Sequence, residues 1–138
     1  MKLIAAAGFN PARQKVISFK NIVRGGVNRA VSLEEFASGK GINFCRAAAC
    51  CGKVRTKLVQ FCGGVNGDFV DAGLEKEGMD FISVRTQAPT RCCDTCIDHI
   101  LRTAKADQTH ETWLRPLLFL TFFQGFSPLL SDIQIRLL

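Results

Sequence analysis

The sequence predicts an α/β fold built on a mostly parallel sheet. Three observations carry that expectation. Short apolar, β-branched runs of strand length recur up to Asp98, two stretches with helical spacing stand between them, and glycine or Asn-Pro turns separate one from the next. Strands and helices that alternate at this length pair in parallel through crossover connections. A chain of 138 residues, 47% hydrophobic and 22% charged, has the size and composition of a globular domain with a real core.

The segment Leu3 to Ala7 is a short apolar strand ended by Gly8 and by the turn-forming Asn10-Pro11. Lys15–Phe19 and Arg29–Leu33 are short and partly alternating, and Arg24-Gly25-Gly26 separates them as a turn would separate two strands. Ser38-Gly39-Lys40-Gly41 then leads into Ile42 to Cys51. There Ile42, Cys45 and Ala49 lie three and four apart, and Gly52 supplies a stop, so this stretch reads as a helix. Its Ala- and Cys-rich surface suits close packing on a sheet.

Val54 to Phe61 has the alternation of a strand. After the glycine turn Gly63-Gly64-Val65-Asn66-Gly67, a second helix is expected over Asp68 to Glu77. Asn66 is its expected N-cap, Phe69, Ala72, Gly73 and Leu74 point inward, and Gly78 ends it. Met79 to Val84 and Thr90 to Asp98 are two further strands. The pair near the start breaks the alternation and reads as an excursion from the main sheet.

From about Ile100 the character changes. Arg102 to His110 is polar, and the rest is rich in Leu and Phe with no clean period of 2 or 3.6. The expected division is therefore a unit over 1–99 and a dissimilar tail over 100–138.

The 18 Lys+Arg against 12 Asp+Glu give a net charge of +6, but the surplus is scattered over Arg13, Lys20, Arg29, Lys40, Lys57 and Arg91. A nucleic-acid surface concentrates such charge and interleaves aromatics, so no nucleic-acid partner is expected. The apolar start Met1 to Ala7 is interrupted by Gly8, Asn10 and Pro11, too early for a signal peptide. Leu117 to Phe123 is far short of the roughly 20 residues that span a bilayer. No membrane partner is expected, and the expected compartment is the cytoplasm. Seven cysteines then read as reduced thiols. Cys93, Cys96 and His99 have spacings that zinc could use, but a matching second ligand pair is missing, and a strand would point Cys93 and Cys96 to opposite faces. A small metal-binding protein is thus the weaker reading, and no metal site is assigned.

Gly39-Lys40-Gly41 is the sharpest chemical feature. At the start of a helix, free backbone N–H groups and the helix dipole favour an anion, and Lys40 adds a full charge. It is not a Walker A loop, because Glu34 stands where that motif has its first Gly and Gly41 where it has Ser or Thr.

Several pieces occur in one order: Asn10-Pro11-Ala12, then Gly26-Val27-Asn28-Arg29-Ala30, then Gly39-Lys40-Gly41-Ile42-Asn43. Gly63-Gly64 with Gly67 and Phe69 follows, then Leu74 with Glu77-Gly78-Met79, then Thr90-Arg91. As a set this resembles the N-terminal part of PfkB-family, ribokinase-type carbohydrate kinases, closest to the 1-phosphofructokinase and tagatose-6-phosphate kinase branch. The resemblance covers about residues 2 to 98 and implies an incomplete ribokinase-like, Rossmann-type sheet with a β-lid.

It further implies that Gly39 and Asn43 contact sugar hydroxyls and that Lys40, Arg29 and Arg91 hold a phosphate already on the substrate. Lys15–Phe19 and Arg29–Leu33, with Thr90–Ile97, would form the lid, which covers the sugar, excludes water and supports a homodimer. Two positions depart from the family pattern. Ser38 replaces the first of two glycines, and Gln14 replaces a sugar-gripping Asp; Gln hydrogen-bonds but carries no charge.

The family's activity is phosphoryl transfer from ATP, with Mg2+, to a sugar hydroxyl. Its adenine pocket and catalytic Asp lie in a Gly-Ala-Gly-Asp type motif, which nothing between Ile100 and Leu138 matches. No catalytic residue is therefore assigned, and this chain is expected to be inactive alone, as a truncated portion of such a kinase. The alternative is a non-catalytic protein that binds a sugar phosphate, or dimerises through the lid, and regulates a full-length kinase.

Overall fold

The computed structural model describes residues 2–100, 103–109 and 134–135. Two four-stranded sheets organise it. The first contains β1 (Lys2–Gly8), β4 (Val54–Cys62) and β5 (Phe81–Arg85), with the two-residue β8 (Gln134–Ile135) on the outside, in the order β5-β4-β1-β8. All its pairings are parallel. Two helices supply the crossovers, α1 (Lys40–Cys51) before β4 and α2 (Gly64–Lys76) before β5.

The second sheet is the excursion. It holds β2 (Ala12–Phe19), β3 (Ala30–Ser38), β6 (Arg91–Asp98) and β7 (Thr103–Thr109), in the order β3-β2-β6-β7. The β2–β3 and β6–β7 pairs are antiparallel, whereas β2 and β6 run parallel. The architecture is the α/β fold with a lid that the sequence predicts. The polar stretch 103–109, expected to belong to a dissimilar tail, pairs with β6 as an edge strand of this sheet. The Leu- and Phe-rich part of the tail, 110–133, lies outside the described residues.

The core lies between the parallel sheet and the two helices. Leu58 and Cys62 of β4 and Ala6 of β1 meet Ile42 and Cys45 of α1 and Val70 and Leu74 of α2, and Ala37 of β3 joins them. Burial pushes the Cys45 thiol up, and it pushes Cys62, which also lies near the Asp71 carboxylate, to about 11. Both are inert packing groups rather than nucleophiles.

The helices differ from expectation at their edges. In α1, Ile42 and Cys45 are buried but Ala49 is exposed, because the last turn runs past the core. Gly52 ends it in the left-handed conformation, φ 66°. The second helix begins at Gly64 rather than Asp68, with Gly63 as its N-cap. Asn66 is inside it, and its side chain donates to the Thr90 carbonyl (2.9 Å) instead of capping. Gly67, Val70 and Leu74 form the buried stripe, Phe69 and Gly73 are half-buried, and Ala72 is exposed. The earlier start moves the inward stripe off Ala72. Gly78, at φ 68°, closes α2 with two bonds, Gly78 N–H to Glu75 O (2.9 Å) and Met79 N–H to Leu74 O (3.0 Å), the glycine-based stop that satisfies the last carbonyls.

The middle of α1 is tied to the end of α2 by Arg46, which donates to both Glu77 oxygens from Nε (2.8 Å) and Nη2 (2.6 Å). That hydrogen bonding holds the Glu77 carboxyl below its ordinary value, against the smaller opposing effect of burial. A carboxylate whose folded pKa is depressed gives stability that is present above its unfolded pKa and lost as pH falls through the folded value. Urea midpoints should therefore decline in acid below the ordinary Glu value of 4.5, and Glu77→Gln should flatten part of that decline. The pair is partly exposed, so its share is modest; an unchanged acid limb in the variant would refute the assignment.

Candidate functional site

Where β1 ends and α1 begins, the chain forms a cleft of about 310 Å³ lined by Ala7 to Pro11, Gly39 to Ile42, and Arg91. Its narrowness at the base follows from two glycines. A Cβ on Gly41 would lie 2.5 Å from Gly8 Cα, and one on Gly8 would lie 2.9 Å from Leu58 Cδ1. The helix start therefore rests directly on the end of the strand. Gly39 adopts φ 146° with Pro11 Cα 3.2 Å from where its Cβ would be, a backbone that only glycine adopts without strain.

No side chain caps α1, and the first amide of its opening turn to bond back is Asn43 N–H, to Gly39 O at 2.9 Å. The preceding amides, at Lys40, Gly41 and Ile42, belong to residues that line the cleft. They are the donors a helix start leaves without an intrahelical partner. Lys40 is exposed at the rim, and Arg91 reaches the cleft from the first position of β6. Arg91 Nε is buried with no hydrogen-bond partner. An unsatisfied buried donor on a cation costs free energy that an anionic ligand would recover.

The six residues singled out in sequence are thus distributed unevenly. Gly39, Lys40 and Arg91 meet at the cleft. Gln14 lies on the same face of the lid as Arg91, since Ala12 pairs with Arg91 and Gln14 is two residues along. Its Nε2 is already engaged with Cys93 O and Thr95 Oγ1, both at 2.9 Å. Asn43 is exposed on α1, where its Oδ1 accepts from Arg46 Nη1 at 3.0 Å. Arg29 is exposed on the loop entering β3, outside the residues that line the cleft.

The loop before Arg29 is ordered by its own hydrogen bonds. Asn28 Oδ1 accepts from Val23 N–H (2.8 Å), and its amide donates to Val23 O (3.0 Å) and Gly26 O (3.2 Å). The lid end is held by Asp98, 2% exposed, which accepts from the amides of Ile22 and Ile100, both at 2.9 Å.

Sequence reasoning gives no role to Phe9, Asn10 or Pro11 at the cleft, nor to Arg13 behind it. Asn10-Pro11 is legible as a turn, but nothing local to the sequence shows that the turn faces the start of α1. As for the cysteine cluster, Cys93 and Cys96 lie on opposite faces of β6. Among the described residues no group of three or more His, Cys, Asp or Glu side chains is placed to hold a metal ion. Also among the described residues, no helix is long and apolar enough to cross a membrane.

No family model matches the chain. A 1-phosphofructokinase from Borreliella burgdorferi is 33% identical over 85 residues, which is 60% of this chain and 27% of that protein. Among solved structures, Escherichia coli phosphofructokinase-2 in complex with fructose-6-phosphate superposes with a TM-score of 0.84 at 18% identity, over 98% of this chain and 44% of that one. A protein from Thermotoga maritima described as a possible 1-phosphofructokinase gives 0.80 at 21% identity, over 96% and 43%. At those identities the structural likeness shows the fold. The chain spans less than half the length of each of these proteins.

Proposed function

We propose that this chain is the N-terminal part of a PfkB-family, ribokinase-like kinase of the 1-phosphofructokinase branch, and that its cleft is the cradle for a phosphorylated sugar within a phosphofructokinase-type sugar kinase of the cytoplasm. The observation that carries the reading is the meeting of Lys40 and the unpartnered Arg91 Nε at the open start of α1. Two cations and a set of free amides suit a dianionic phosphate, while the glycine backbone lets a polyol approach closely.

In this reading Lys40 and Arg91 neutralise the phosphate, and the α1 amides orient it. Gly39 leaves room for the sugar beside Asn10. Gln14 stiffens the lid through β6, Arg29 reaches a ligand only if the lid closes over it, and Asn43 only if its side chain turns away from Arg46. Closure would exclude water so that the phosphoryl group goes to the sugar hydroxyl. ATP and Mg2+ are the family's phosphoryl donor and metal, and in this reading the part of this chain is to bind and orient the sugar phosphate.

Calorimetry on the full chain tests this with fructose 1-phosphate, fructose 6-phosphate and tagatose 6-phosphate, against unphosphorylated fructose. Binding of at least one phosphate ester is expected, weakened about tenfold or more by Lys40→Ala or Arg91→Ala, the loss of one charge-assisted contact. No heat with any of the three overturns the proposal.

A second element concerns the lid's outer strand. Val31 is 67% exposed and Leu33 55% on β3, an edge strand of the lid. Apolar side chains on an unpaired edge strand favour association with another copy. They support a homodimer through the lid, and with it the regulatory alternative, in which the chain pairs with a full-length kinase. A strictly monomeric chain by light scattering would remove the homodimer.

A further inference from the structure

We infer that Arg13 is a positioning residue that latches the lid to α2 and, through Asn66 and Thr90, sets where Arg91 enters the cleft. In sequence it is one of several scattered charges. In the fold it is the junction of three elements. Its Nε and Nη2 donate to the two oxygens of Glu35 on β3 (3.1 and 3.0 Å), a two-pronged pairing. Its guanidinium carbon stands 4.5 Å from the centre of the Phe69 ring of α2, within reach of a cation–π attraction. Nη1 approaches Asn66 Oδ1 at 3.5 Å. The side chains of Arg13 and Glu35 are 25% and 26% exposed, so this is a half-buried pair rather than a solvated one. Ala37, opposite Arg13 in the β2–β3 register, packs beside Gly73 of α2, which leaves Arg13 as the polar part of the same seam.

The link onward is short. The Asn66 amide that lies next to Arg13 donates to the Thr90 carbonyl at 2.9 Å. Thr90, 6% exposed, is also bonded twice to Gly63, from Thr90 N–H to Gly63 O (2.8 Å) and from Gly63 N–H to Thr90 Oγ1 (3.0 Å). The next residue is Arg91, whose Nε has no hydrogen-bond partner. With no bond at that atom, the place of the guanidinium depends on its backbone, and the Thr90–Arg91 peptide is what this network holds. Arg13 and Arg91 lie on opposite faces of the lid, because Arg91 pairs with Ala12. The latch therefore acts from behind the cleft without touching a ligand. Arg is the residue that can do this, since its planar fork pairs with Glu35 while its face stacks on Phe69; Lys offers neither.

The role of Arg91 rests on the cradle reading, but the latch is separable from it. Arg13→Met keeps an apolar stem against Phe69 and removes the charge; Glu35→Gln is the milder partner change. On the full chain, hydrogen exchange should rise about tenfold or more in β2 and β3, the cost of one charge-assisted contact, with β1, α1 and β4 as protected as in the parent. Affinity for fructose 1-phosphate should fall by a similar factor while that for fructose stays put. Unchanged exchange in the lid, an equal rise in lid and core, or equal weakening of both sugars overturns the latch. If the parent chain binds none of the three sugar phosphates, the cradle reading fails. The exchange result then still decides the latch, a selective lid loss supporting it and retained protection refuting it.

Discussion

Gly41→Ala is expected to destabilise the protein and to disrupt the cleft together. In an open helix the change would help by about 1 kcal/mol, because alanine is the better helix former. Here the new methyl would lie 2.5 Å from Gly8 Cα and 3.0 Å from Gly8 N, backbone atoms that cannot rotate away. Overpacking of this kind costs about 1–3 kcal/mol, sometimes more, and it outweighs the gain. Relief requires α1 to move off the end of β1, which separates the amides of its first turn from Phe9 and Asn10. A denaturation midpoint below the parent's, with sugar-phosphate binding lost, is the expected pair of results. A midpoint equal to or above the parent's would mean that the contact between α1 and β1 is loose enough to admit a methyl group.

Leu58→Ala should be the most damaging single truncation. Leu58 is fully buried at the centre of β4, the middle strand between β1 and β5. Its Cδ1 reaches the Gly8–Gly41 contact, 2.9 Å and 3.1 Å from where their Cβ atoms would be. Removing such a side chain costs about 2–5 kcal/mol, at the upper end where the surroundings cannot collapse. Collapse is limited here because the strand is paired on both sides. Combined with Gly41→Ala, the loss should be less than the sum of the two, since the cavity relieves the methyl's clash with Leu58 although not the one with Gly8. Additivity in urea unfolding would contradict that shared seam.

Much of the fold is legible in the amino-acid sequence. The strands at Leu3 to Ala7, Val54 to Phe61 and Met79 to Val84 follow from apolar runs that a parallel sheet buries, and the helix stops at Gly52 and Gly78 follow from glycine's freedom at positive φ. Elements that depend on partners are less readable. The start of α2 at Gly64 runs through Gly64-Val65-Asn66-Gly67, a sequence with poor helix propensity that local rules assign to a turn. It is helical because Gly67 packs against Cys62 and Thr90, leaving no room for a side chain. The strand Thr103–Thr109 is polar and lacks alternation, and pairing with β6 makes it a strand.

The cleft divides the same way. Gly39, Lys40 and their place before a helix are visible in one dimension, because helix ends have local signatures and a Gly-Lys-Gly step is unusual. Arg91 is reached only through a resemblance, and the fold brings it to Lys40 by the parallel pairing of β2 with β6. Arg13 cannot be distinguished in sequence from a surface charge: its partners Glu35, Asn66 and Phe69 are 22 to 56 residues away in the chain. Strand and helix order, the glycine loop at the helix start and the family resemblance thus follow from the order of residues alone, because they rest on contacts between near neighbours or on ordered local motifs. Which charges face the cleft and which brace it from behind depends on tertiary pairing, because side-chain direction in the lid is fixed by register across strands that the chain joins at long range.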